Sequence, residues 1–125
     1  MPLTDNGRNH IAQSLVGEAT TQFNNANARI GVGSGNTAFQ SWHDDLQGAS
    51  KFRKAMDTGY PTRTANAMIF RATFGTEDAN FAWEEWGVFN AGSGGTMLNR
   101  AIEVLGTKPS NQSWQFTVTL TVNNP

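Results

Sequence analysis

Three short constellations in the chain carry residue types that do chemistry elsewhere: IGVGSGNT from Ile30 to Thr37, the run His43, Asp44 and Asp45, and the neighbours Glu84 and Glu85. A glycine-rich turn binds phosphate when it opens a helix, because backbone N–H groups and the helix dipole then face the anion. Here the glycines fall at positions 31, 33 and 35, so neither the G-x-G-x-x-G order of a dinucleotide site nor the Gly-Lys-Ser/Thr of a P-loop is present. The segment reads instead as a strand ending in a turn that needs positive φ. His43 and His10 are the chain's only histidines, and a metal or acid–base site would have to draw on them. Adjacent residues rarely share one ion, since ligands usually come from separate elements with ordered partners behind them. The expectation at His43 is a turn in which Asp44 or Asp45 accepts backbone N–H groups.

Glu84 and Glu85 point to opposite faces if they lie in a strand, so they cannot flank one substrate bond. Glu85 is expected to be buried and paired with Arg71 or Arg100. The sequence has no G-x-S-x-G elbow and no cysteine nucleophile. Trp42, Tyr60, Trp83 and Trp86 could stack on sugars or bases, but no positive charge surrounds them, and a core or interface role is the stronger expectation. No catalytic residue, cofactor or metal ligand is assigned.

The elements that must position these residues are mainly strands. In WQFTVTLTV, Trp114, Phe116, Val118, Leu120 and Val122 alternate with Gln115, Thr117, Thr119 and Thr121, the pattern of a strand with one wet face. NAMIFRATF places Met68, Phe70, Ala72 and Phe74 opposite Ala67, Ile69, Arg71 and Thr73, with apolar residues on both sides. NFAWEEWGVFN puts Phe81, Trp83, Glu85 and Phe89 on one face and Ala82, Glu84, Trp86 and Val88 on the other. The turn AGSGG then leads to a returning strand, TMLNRAIEV, completing a hairpin. ARIGVG and SKFRKAM read as two further, paired strands. One short helix is expected at the start, capped by Thr4 or Asp5, carrying Ile11, Ala12, Leu15 and Val16 and stopped by Gly17. Its stripe must lie on something, because an isolated helix of that length is unstable in water. SWHDDL is expected to make a single turn.

A chain of 125 residues fits one domain around one core. The expected division is a helical segment over 1–17 and a sandwich over 28–125. Four Trp and eight Phe supply ample apolar material, and the absence of cysteine excludes disulfides and thiolate metal sites. Nine basic and ten acidic residues give a net charge of −1, with no basic cluster to bind nucleic acid. Charged residues make up 15% of the chain, below the roughly 25% typical of soluble domains. That composition suits a protein that packs against neighbours. No apolar run approaches the roughly 18–20 residues that span a bilayer, and MPLTDNGRNH lacks the pattern of a signal peptide, so neither membrane insertion nor secretion is expected.

An ordered set of motifs adds a resemblance. The helix NGRNHIAQSL is followed by ARIGVGSGNTAF, DLQG, an ATF strand, EEWGVFN, a small-residue turn and MLNRAIEVLGTK. In that order the chain resembles the small β-domain proteins of tailed bacteriophages, including the domain of tail-collar fibres, over nearly its whole length. The resemblance implies a virion component made in the host bacterial cytoplasm, without catalysis, built into particles as a homo-oligomer, often a trimer. Collar-fibre proteins are usually longer, with a shaft and a receptor-binding tip, which favours a connecting or decorating role for this chain. The expected fold is an antiparallel β-sandwich of about six to eight strands with one short N-terminal helix. The expected function is a tail, collar or neck adaptor packing on other virion proteins, with capsid decoration and carbohydrate binding as alternatives. Trp83, Ile69, Phe81, Trp42, Tyr60, Ile11 and Leu15 are the expected partner contacts, and neither nucleic acid nor membrane is an expected partner.

Overall fold

The computed structural model describes residues 2–18 and 20–123. Residues 1 and 124–125, which bound the expected segments 1–17 and 28–125, lie outside the described residues, as does residue 19 between them. The described residues form one helix, α1 (Asp5–Leu15), and seven strands: β1 (Arg29–Gly33), β2 (Lys51–Ala55), β3 (Thr62–Thr64), β4 (Ala67–Phe74), β5 (Ala82–Phe89), β6 (Ala101–Thr107) and β7 (Trp114–Thr121). Two antiparallel sheets, β2-β1-β5-β6 and β3-β4-β7, make the sandwich. The apolar faces of β1, β4, β5 and β7 meet between them, with Ile30, Val32, Phe70, Phe74, Val88 and Leu120 each at most 1% exposed.

β7 keeps its expected alternation: Val118 and Leu120 are buried, while Gln115, Thr117 and Thr119 are exposed. Val122 is the exception at 61% exposed, because it lies past the last paired residue, Thr121. β5 departs from simple alternation. A bulge between Trp83 and Glu85, opposite β6, resets its faces. Trp83 therefore joins Trp86 and Val88 in the core between the sheets, while Phe89 packs with Leu46 and Met97 in a separate apolar cluster.

The returning strand also starts later than its sequence suggests. Residues 96–100 make only isolated bridges, Phe89 to Met97 and Leu3 to Asn99, and regular pairing begins at Ala101. The reason lies in where their backbone bonds go: Thr4 N–H donates to Leu98 O and Arg100 N–H donates to Pro2 O, both at 3.1 Å. The N-terminal segment thus takes the Leu98 carbonyl and the Arg100 amide, while Leu98 N–H still donates to Val88 O at 2.7 Å and Val88 N–H turns to the Asn99 side chain. Thr4 then caps α1, accepting from Gly7 N–H at 2.9 Å, and its hydroxyl donates to Met97 O at 2.5 Å. Gly7 lies so close to the Leu98 carbonyl that a Cβ would collide with it.

The buried side of α1 is consequently Gly7 and His10. Ile11 is half-buried against the core, while Leu15 and Val16 are 83% and 72% exposed. Of the Ile11, Ala12, Leu15 and Val16 stripe, expected to lie on the sandwich edge or on another protein, only Ile11 packs against the sandwich core. The helix is fastened by its first turn, and its last turn projects beyond the surface that would have covered it.

Candidate functional site

The residues with most chemical capacity meet around Glu85. Its carboxylate accepts four donors: Gly35 N–H at 2.8 Å and Gly48 N–H at 2.7 Å on Oε2, and Gln47 N–H and Arg100 Nε, both at 2.8 Å, on Oε1. Glu85 and Arg100 are both fully buried. Of the two arginines expected for Glu85, Arg100 is the partner. Arg71 instead pairs with Asp57 at 2.9 Å and lays its guanidinium over Tyr60. Arg100 Nη1 also donates to Thr37 O at 2.8 Å. Among the described residues, Arg100 Nη2 and Asn99 Nδ2 are buried without a hydrogen-bond partner.

This knot explains the glycine-rich segment. Gly31, Gly33 and Gly35 do not have positive φ, which corrects the expected reason for them. They are needed for close approach: a Cβ on Gly33 or Gly35 would stand 2.5 Å from Glu85 Oε2, and one on Gly31 would stand 2.5 Å from the Phe89 ring. Backbone N–H groups do converge on an anion here, as in a phosphate loop, but the anion is the chain's own carboxylate. Its four hydrogen bonds leave it no role as a base toward an external substrate.

His43 lies beside the knot and is 2% exposed, with its Nδ1 accepting from Gln40 N–H at 3.2 Å. Burial holds its pKa below the ordinary 6.5, and the positive charge of Arg100 lowers it further. Asp44 is exposed. Asp45 turns the other way, accepting from Leu46 N–H and Lys51, and those bonds outweigh its partial burial and keep its pKa below the usual carboxylate range. The three neighbouring side chains therefore diverge, as a turn with a capping aspartate requires.

The expected partner-contact residues are dispersed. Trp83 is a core residue, 2% exposed, with its Nε1 donating to Ala79 O and its ring edge-on to Phe74 and Trp114 at 4.8 and 5.0 Å. It is thereby removed from the candidate interface, and the cause is the β5 bulge. Phe81 is half-buried against the same core. Ile69 is half-buried on β4, paired between Thr62 and Thr119. Trp42 is 69% exposed in the loop before β2, edge-on to His43. Tyr60 lies half-buried under Arg71. Trp42, Tyr60 and Trp83 thus each have separate neighbours and make no shared platform.

Only Ile11 and Leu15 are brought together. They line a groove of about 380 Å³ between α1 and the smaller sheet, with Phe23, Arg63, Met68 and Phe70 among its walls. A second exposed apolar pair, Ile102 at 43% and Val104 at 77%, lies on β6, which pairs with β5 alone and so ends its sheet. Neither feature was singled out from the sequence, although the alternation of AIEV makes Ile102 and Val104 visible as one face. Charge divides the sheet edges: β2 carries Lys51, Arg53 and Lys54 and β3 carries Arg63, whereas β6 and β7 together carry one charged residue, Glu103. Charged edges resist pairing with other chains, and uncharged ones permit it.

No family model, curated protein or solved structure matches the chain.

Proposed function

We propose that the chain is a non-enzymatic structural protein of a tailed-bacteriophage particle, an adaptor at the tail, collar or neck that packs on itself and on other virion proteins. The observation that carries a packing role is the division of its side chains. The acidic and glycine motifs are used to hold its own loops, while large apolar residues stand exposed at the end of α1 and on the edge strand β6, whose one charged residue is Glu103. Isolated surface apolar residues are ordinary, but apolar residues on an unpaired edge mark a place for another chain.

The phage setting rests on the ordered resemblance. Four of its motifs have a common physical purpose in this fold: Gly35 from ARIGVGSGNTAF, Gly48 from DLQG, Glu85 from EEWGVFN and Arg100 from MLNR form the single buried knot. A domain that must keep its loops rigid while presenting apolar edges to neighbours would retain such a set.

Mass spectrometry of purified particles, separated into heads and tails, tests the proposal. The protein is expected in the tail or neck fraction in stoichiometric amount. Recovery with heads alone would replace the adaptor with a capsid-decoration protein, and absence from both fractions would overturn the virion reading.

A further inference from the structure

The outward end of α1 and the groove beside it form one patch with both halves of a contact. Leu15 and Val16 project, 83% and 72% exposed, and the hollow between α1 and β4 is walled by Phe23, Met68 and Phe70. Opposite charges flank them. Glu18 lies two residues beyond Val16, Arg63 lines the hollow, and neither is in an ion pair among the described residues. Arg63 spends one nitrogen on Ala65 O and makes no other side-chain hydrogen bond among the described residues.

Resting on the self-assembly proposed above, we propose that this patch is a twofold contact between two copies of the chain. Leu15 and Val16 of each copy enter the groove of the other, and Glu18 of each faces Arg63 of the other. Two features favour a second copy over an unrelated partner. The projection and the hollow are both apolar and adjacent, so one surface is complementary to itself, and the charge beyond the projection, Glu18, is opposite in sign to the one lining the hollow, Arg63, so an operation that seats the leucines also brings opposite charges to the same contact. A head-to-tail ring would need projection and hollow on separate sides of the molecule. Leu15 itself lines the groove, which selects the closed, isologous arrangement.

Sedimentation equilibrium of the full chain at micromolar concentration reads the result. The wild-type protein is expected to be a dimer. Leu15→Lys should make it monomeric with an unchanged circular dichroism spectrum, because the residue is exposed in the single chain. Glu18→Arg and Arg63→Glu should each weaken the dimer on the order of tenfold or more, since like charges then face each other, and the double variant should restore it. A monomeric or trimeric wild-type protein would overturn the contact, as would single reversals without effect or a double variant no tighter than either single one. A monomer that is still recovered in virion tails would defeat the twofold contact alone. A dimer absent from particles would defeat the virion reading alone.

Discussion

Around Glu85 the chain brings four donors to one carboxylate at 2.7 to 2.8 Å and closes the site completely, with the acid and Arg100 both at 0% exposure. Around Leu15 it does the reverse, leaving an apolar side chain 83% exposed beside a groove it does not fill. The same N-terminal segment connects the two regions: Pro2 accepts from the backbone of Arg100, and α1 runs from Thr4 outward to Leu15. The difference separates residues that look reactive from residues that look free. Glycines and acids at suggestive positions are consumed in holding loops together, so their capacity is already used. The unfilled groove has no such internal claim on it, which is why it is the place proposed for a second chain.

The comparison breaks most readily at Arg100. Replacing it with Met leaves Glu85 buried with its charge uncompensated, and removing one member of a buried pair typically costs about 3–5 kcal/mol. Urea denaturation should show a loss of that size. A loss below about 1 kcal/mol would mean that the three backbone N–H groups alone satisfy the carboxylate, and the knot would no longer be set apart from an ordinary surface pair.

The next largest effect is expected at Gly35. An alanine there puts its Cβ 2.5 Å from Glu85 Oε2 and closer than contact to the backbone of residues 47 and 48. Either the loop or the carboxylate must move, and overpacking of this kind costs about 1–3 kcal/mol. Thermal unfolding of Gly35→Ala measures it. An unchanged or raised melting temperature would show that the loop yields freely and that close approach is not why glycine stands there.

Much of the sandwich is legible in the sequence because its strands have one dominant periodicity. β7 is the clearest case, its threonines facing water opposite Val118 and Leu120. The Glu85 pairing is legible for a related reason: a carboxylate within an apolar strand requires a cation, and two arginines on nearby strands were candidates. What alternation cannot convey is a break in itself. The bulge at Trp83 and Glu85 moves Trp83 from the expected interface to the core, and nothing in AWEEW marks where the extra residue falls. Residues 96–100 carry a strand-like pattern, yet they divide their backbone bonds between residues 88–90 and Pro2 and Thr4, nearly the whole chain away. The groove is hidden for the same reason, being assembled from α1, residues 22–24, β3 and β4, none of which implies the others.

The smallest expected effect sharpens the boundary of the buried region and has a definite sign. His43 has a folded pKa below its ordinary 6.5, first because it is buried and then because Arg100 opposes a second positive charge nearby. As pH falls through about 6.5 the unfolded chain takes up this proton before the folded chain does, so acid favours unfolding. The contribution of neutral His43 is present above that pH and lost progressively down to the folded pKa, with a slope of at most about 1.4 kcal/mol per pH unit for one proton. Stability measured by urea at a series of pH values between 8 and 5 (roughly the span over which histidine titrates) should therefore fall toward acid. His43→Asn keeps an acceptor for Gln40 N–H but cannot titrate, and it should fall less steeply. If the two curves run parallel, His43 is not protonating on unfolding, and the positive field assigned to Arg100 does not extend to the edge of the knot.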